Sequence, residues 1–160
     1  MLSRRALLGL IVLLAACASP GQVAFPPDTT LIILRHADRT GEDLNDKGIA
    51  RAQALVQALD GIPIDAIYSP GIQRNLDTAA PLAAARGLEI KRIPAENPAA
   101  RLLSEGAGKT IVWVGNKGNL QSIWDSIAAP EPPPLEYGDL FIVTKARVGS
   151  PLVERRRHGP

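Results

Sequence analysis

Apolar positions along the chain fall into two kinds of run. Residues 30–34 are continuous and rich in β-branched side chains, which predicts a strand buried on both faces. Shorter runs predict strands at residues 65–68, ending at Ser69-Pro70, at 89–93, and at 110–114, just before Gly115. Between them the spacing changes. From Ile49 the apolar positions Ala52, Leu55, Val56 and Leu59 recur at helical intervals, polar residues 43–47 cap the start, and Gly61 closes the run. Residues 74–86 predict a second helix, with Leu76, Ala80 and Ala83 on one face and Gly87 as its stop. Short helices are predicted at Ala99–Glu105 and at 120–127, a proline-rich loop at 130–134, and a hairpin of residues 137–144 and Leu152–Arg157 through Gly149-Ser150. Alternating strands and helices predict an α/β fold, a three-layer sandwich with a mainly parallel sheet and helices on both faces.

Composition changes this picture little, and the N-terminus changes it more. Hydrophobic residues make up 46% and charged residues 21%, the balance of one globular domain. A net charge of +2 argues against a nucleic-acid partner. The first residues stand apart. Arg4 and Arg5 precede an apolar stretch, residues 6–14, that is too short to span a bilayer, and Leu14-Ala15-Ala16-Cys17 follows. This resembles a bacterial lipobox, in which the Cys thiol is acylated. Cys17 is the only cysteine, so no disulfide can form within the chain. The expected division is a lipoprotein signal peptide at 1–16, lipidated Cys17 and a linker at 17–29, and one domain at 30–160. Ala18, rather than Asp, after the Cys favours the outer membrane over the inner.

In mainly parallel sheets ligands bind at the carboxyl ends of the strands. Those ends carry Arg35-His36-Ala37-Asp38-Arg39, then Ser69-Pro70 with Arg74 just beyond, then Gly115-Asn116-Lys117-Gly118-Asn119. Always-charged, fork-shaped guanidinium groups around one histidine suit a phosphate dianion.

These residues resemble the histidine phosphatase superfamily, which includes the phosphoglycerate mutases. The matching pieces are Leu34-Arg35-His36-Ala37, Leu44-Asn45-Asp46-Lys47-Gly48 leading into Arg51-Ala52, Tyr68-Ser69-Pro70 with Gln73-Arg74 and Thr78-Ala79, Val112-Trp113-Val114-Gly115, and Tyr137-Gly138-Asp139-Leu140. The resemblance implies a phosphoglycerate mutase-like fold and a phosphohistidine intermediate on His36. It implies phosphoryl-oxygen contacts from Arg35 and Arg74, a further phosphate contact from Arg39, and no metal or other cofactor. It also implies a proton donor in the loop after the third strand, where Glu96 stands. Asp38 is the other carboxylate near His36, an alternative being that it orients Arg39.

One position departs from the family. A second histidine is normal directly after the Val-Gly of the late strand, and here that residue is Asn116. Asn116 can donate a neutral hydrogen bond to phosphate but cannot supply an imidazolium charge, and Lys117 beside it offers a charge in exchange. Several segments are decoys. Arg157-His158-Gly159 spells a familiar tripeptide but leads into no helix, and reads as the frayed end of an edge strand. Gly106-Ala107-Gly108-Lys109-Thr110 lacks the earlier glycine of a P-loop and precedes a strand. Residues 42–48 have the wrong oxygen alternation for a calcium loop and read as a helix cap.

Two functions compete: a metal-independent phosphomonoesterase of the cell envelope, and a pseudophosphatase that binds phosphate with little turnover because of Asn116. A purely structural role leaves the arginines unexplained. Short connections imply an open site that admits a phosphorylated small molecule or a phosphoprotein, on a monomer held to the membrane by lipid.

Overall fold

The computed structural model describes residues 21–160; the predicted signal peptide and Cys17 lie outside the described residues. In chain order the elements are β1 (Thr30–Arg35), β2 (Arg39–Thr40), β3 (Asp43–Leu44), α1 (Asp46–Ala58), β4 (Ala66–Ser69), α2 (Gln73–Arg86), β5 (Ile90–Arg92), α3 (Ala99–Glu105), β6 (Thr110–Gly115), α4 (Lys117–Ser126), β7 (Asp139–Thr144) and β8 (Leu152–Arg157). Six strands form one sheet in the order β5-β4-β6-β1-β7-β8. The first four of these run parallel, and β7 pairs antiparallel with both β1 and β8. The three-layer α/β arrangement expected from the sequence is what forms.

The layers follow from the period of two along each strand. Leu31, Ile33, Tyr68, Ile111, Trp113, Phe141 and Val143 point to one face, where α3 and α4 supply Leu102, Leu103, Leu120, Ile123 and Trp124. Ile32, Leu34, Ile67, Val112, Val114 and Leu140 point to the other, against Leu55 and Leu59 of α1 and Ala79, Leu82 and Ala83 of α2. Covering both faces is why β1 reads as an unbroken apolar run. Edge strand β8 carries Glu154, Arg155, Arg156 and Arg157, charges that oppose pairing with another chain. Val23 and Phe25 also pack on the first core, and Val23 N donates to Ser126 O at 2.7 Å, so part of the segment read as linker lies against the domain.

The predicted face of α2 is corrected. Asn75, Thr78, Ala79, Leu82 and Ala83 are buried, Leu76 is half-buried and Ala80 is exposed. Thr78 Oγ1 accepts the Ala37 amide at 2.9 Å and donates to Arg74 O at 2.8 Å, so a polar contact with the segment after β1 sets the helix rotation. The reading of His158 as a frayed end is also corrected. It is buried, its amide donates to Gly138 O at 2.9 Å, and its own carbonyl accepts Arg51 Nη1 at 2.6 Å. The tail is held by a buried arginine that the pattern of charges on β8 does not reveal.

Candidate functional site

The carboxyl ends of β1, β4 and β6 and the start of β7 meet in one place. Register explains it: Arg35 lies beside Gly115 and Leu34 beside Leu140, so residues 35–38, 115–119 and 137–139 are neighbours. Ser69 Oγ donates to Val114 O at 3.1 Å and ties the end of β4 to the end of β6.

His36 continues β1 by one residue, its amide donating to Gly115 O at 2.8 Å. The ring is 2% exposed. Its Nδ1 lies 2.9 Å from Ala37 O, and a carbonyl can only accept, so Nδ1 carries the proton. Nε2 then presents a lone pair, and Arg74 Nε donates to it at 3.3 Å. Burial holds the imidazole pKa down to about 4; the Ala37 carbonyl opposes this, and Arg35, Arg74 and Arg39 lower it further. His36 is therefore neutral at pH 7, with Nε2 free to act as a nucleophile.

Arg35 stacks its guanidinium 3.9 Å from the centre of the Tyr137 ring. Its Nη1 donates to Leu135 O at 3.1 Å and its Nη2 to the Tyr137 hydroxyl at 3.2 Å, while its buried Nε has no partner. The Tyr137 ring also meets His36 edge-on at 5.8 Å. Arg74 starts α2, and its Nη1 donates to Glu42 Oε2 at 2.6 Å. Arg39 stands on the small β2–β3 ribbon, half-exposed, with Nη1 on Gly41 O and 3.8 Å from Glu42 Oε1. Glu42, itself largely exposed, thus bridges two of the predicted phosphate-binding arginines.

Asp38 does not orient Arg39. Its Oδ2 accepts Arg51 Nε at 2.6 Å, with Lys47 Nζ 3.8 Å from Oδ1. Burial would raise the Asp38 pKa, but the hydrogen bond and charge of Arg51, with Lys47, bring it below the usual value. The turn into α1 is fitted against the same residue. Asn45 caps the helix by accepting Gly48 N, and a Cβ on Gly48 would stand 1.9 Å from Asp38 O, so only glycine allows this approach.

Asn116 follows the end of β6 directly, but its side chain is engaged as a helix cap. Its Oδ1 accepts Asn119 N at 3.3 Å, and Asn119 Oδ1 accepts Asn116 N at 3.0 Å and Trp113 Nε1 at 3.2 Å. Lys117 stands 3.8 Å from Glu136 at the surface. Glu96 is exposed on the loop that follows β5. Among the described residues no three His, Cys, Asp or Glu side chains converge as a metal site needs.

The sequence reading missed the roles of Tyr137, Glu42 and Arg51. Only Arg51 left a signal: an arginine on the buried helical face of Ala52 and Leu55 must have a partner.

Comparison with known proteins follows the same lines. The model of the histidine phosphatase superfamily (branch 1) matches residues 31–97. No curated protein matches the sequence. The solved structure of a putative phosphohistidine phosphatase SixA from Agrobacterium tumefaciens is similar with a TM-score of 0.63 at 18% identity, covering 82% of this chain and 97% of that one. Bacillus stearothermophilus YhfR gives 0.62 at 18%, covering 79% and 96%. A mycobacterial glucosyl-3-phosphoglycerate phosphatase with inorganic phosphate gives 0.59 at 16%, covering 82% and 97%. The chain has the histidine phosphatase fold, and the segment that matches the superfamily's model is the one that carries Arg35, His36, Arg39 and Arg74.

Proposed function

We propose that the protein hydrolyses phosphomonoesters without a metal, through a phosphohistidine on His36. The observation that carries this is the buried His36 ring, with Nδ1 2.9 Å from Ala37 O and Nε2 3.3 Å from Arg74 Nε. In the first step Nε2 attacks phosphorus, the P–N bond forms, and the P–O bond to the leaving group breaks. Arg35 and Arg74 hold the phosphoryl oxygens as charge develops on them. In the second step water attacks phosphorus, the P–N bond breaks, and phosphate leaves with His36 neutral again. Phosphate oxygens displace the Glu42 carboxylate from Arg74. The leaving alkoxide takes its proton from Glu96, which recovers one from the attacking water in the second step, whereas an aryl oxide, being less basic, departs without one. Hydrolysis of an aryl phosphate, abolished in His36→Ala, is the test. Absence of hydrolysis over a range of pH and esters would count against the proposal.

A second reading is supported by Asn116. Its side chain caps α4 and supplies no charge to the phosphate, which favours a binding module with little turnover. Calorimetric binding of phosphate without hydrolysis would select that reading. Either way the ligand class is a phosphorylated small molecule or a phosphoprotein.

We also propose that Cys17 is the lipid anchor, at the outer membrane. The lipobox-like Leu14-Ala15-Ala16-Cys17 supports this. Residues 21–29 enter β1 at its amino end, opposite the site. Cys17→Ser should release the protein from the membrane fraction.

A further inference from the structure

The buried ion pair next to His36 is not used by the chemistry above, nor is the tail that covers it. Arg51 is 3% exposed in the middle of α1. Its guanidinium is shared three ways: Nε to Asp38 Oδ2 at 2.6 Å, Nη1 to His158 O at 2.6 Å, and Nη2 to Pro160 O. The tail closes tightly on it. A Cβ on Gly159, whose φ is +71°, would stand 2.8 Å from Arg51 Cγ and 3.0 Å from its Cα. Asp38 in turn is fixed by Arg51 through its carboxylate and by the Asn45 amide through its carbonyl. The peptide between Ala37 and Asp38 carries the carbonyl that accepts His36 Nδ1–H. The other side of Ala37 is pinned by Thr78 Oγ1. Rotating that one peptide would remove the acceptor and with it the preference for the Nδ1–H tautomer.

We infer that Arg51, anchored by the main-chain oxygens of His158 and Pro160, is a positioning residue that fixes the His36 tautomer through Asp38 and the Ala37 carbonyl. The consequence for turnover rests on the phosphatase reading; the consequence for the tautomer does not. A buried guanidinium held by the Asp38 carboxylate and by two oxygens of the tail is more constraint than a helix needs for packing, because burying the charge is itself costly. The arrangement also gives the tail a part in the site, although it touches no phosphate-binding group.

The experiment uses the whole chain labelled with ¹⁵N at histidine, of which there are two. The nitrogen shifts report which ring nitrogen of His36 carries the proton. Wild type is expected as Nδ1–H. Three variants are compared, Arg51→Met, Arg51→Lys and Gly159→Ala, the last keeping every polar side chain while pushing the tail off Arg51, and the first and last are the decisive pair. Both are expected to populate Nε2–H on His36. With an aryl phosphate, kcat is expected to fall roughly tenfold while the Kd for inorganic phosphate moves less than about twofold, the pattern of a lost supporting contact. Arg51→Lys, which can hold Asp38 but not both tail oxygens, is expected to lie between. Should Arg51→Met fail to fold, Gly159→Ala decides. A folded Gly159→Ala with His36 still fully Nδ1–H and kcat unchanged overturns the inference. If wild type itself proves inactive, the phosphatase reading fails, and the tautomer shift still tests the inference.

Discussion

Acidification from pH 7 to pH 5 should remove a large part of the folding free energy, and the structure sets the size. His36 and His158 are both buried, and burial is the main reason each pKa is lowered from 6.5 to about 4. For His158 the Gly138 carbonyl opposes the shift, Arg51 and Arg157 add to it, and Asp38 opposes it. A base with a depressed pKa when folded contributes stability that is fully present above its unfolded value. That stability is lost as pH falls below about 6.5 and the unfolded chain takes up protons the folded one refuses; the loss levels off near pH 4. At pH 5 the unfolded imidazole is almost fully protonated and the folded one is not. Each histidine then costs about 2 kcal/mol, ~4 kcal/mol together. Asp38 adds nothing in this window, since its depressed pKa lies below 3.8 and its contribution is lost only at lower pH. Urea unfolding followed by the fluorescence of fully buried Trp113 and Trp124 is the assay. With a slope of about 2 kcal/mol per molar urea, the midpoint should fall by about 2 M between pH 7 and pH 5, and by about half of that in His158→Gln. A midpoint that stays in place, with the slope unchanged, would refute the claim that folding forces His36 neutral.

Other consequences are sharper at single positions. Asn116→His should raise kcat roughly tenfold by adding a charged donor, and should cost about 1 kcal/mol of stability because the cap on Asn119 N is lost; steady-state rates and a melting curve on one preparation check both. Glu42→Ala should tighten inorganic phosphate by up to about fivefold, the worth of an exposed ion pair that phosphate no longer has to displace, measured by calorimetry. Gly48→Ala should destabilise by roughly 1–3 kcal/mol in urea unfolding, because the new methyl meets the backbone of Asp38 and one of the two chains must move. Glu96→Gln should slow alkyl phosphates more than aryl phosphates; equal slowing of both would remove Glu96 from the proton transfer.

The fold was legible because its determinants are local. Unbroken apolar runs at β1 and β6 announced strands covered on both faces, and strand-helix alternation announced a parallel sheet. The placement of Arg35, His36 and Arg74 was legible for the same reason, since strand ends in such a sheet converge. The face of α2 was not, because Thr78 satisfies a backbone amide 41 residues away and turns an apolar helix by a polar contact. The tail was misread for a related reason. His158, Gly159 and Pro160 carry no apolar pattern, and what holds them is the buried Arg51, 107 residues distant from His158. Asn116 also caps the N-terminus of α4, a role that Asn fills well and His does not and that the apolar pattern does not announce.

The central claim is a covalent intermediate on His36, and trapping it is the most direct measurement. The protein is mixed with a radiolabelled phosphoryl donor, quenched in alkali because phosphohistidine is acid-labile, and mapped by mass spectrometry. The expected result is acid-labile phosphate on His36, absent in His36→Ala and unchanged in His158→Gln. Hydrolysis of the donor without label on His36, or with label only elsewhere, would contradict it.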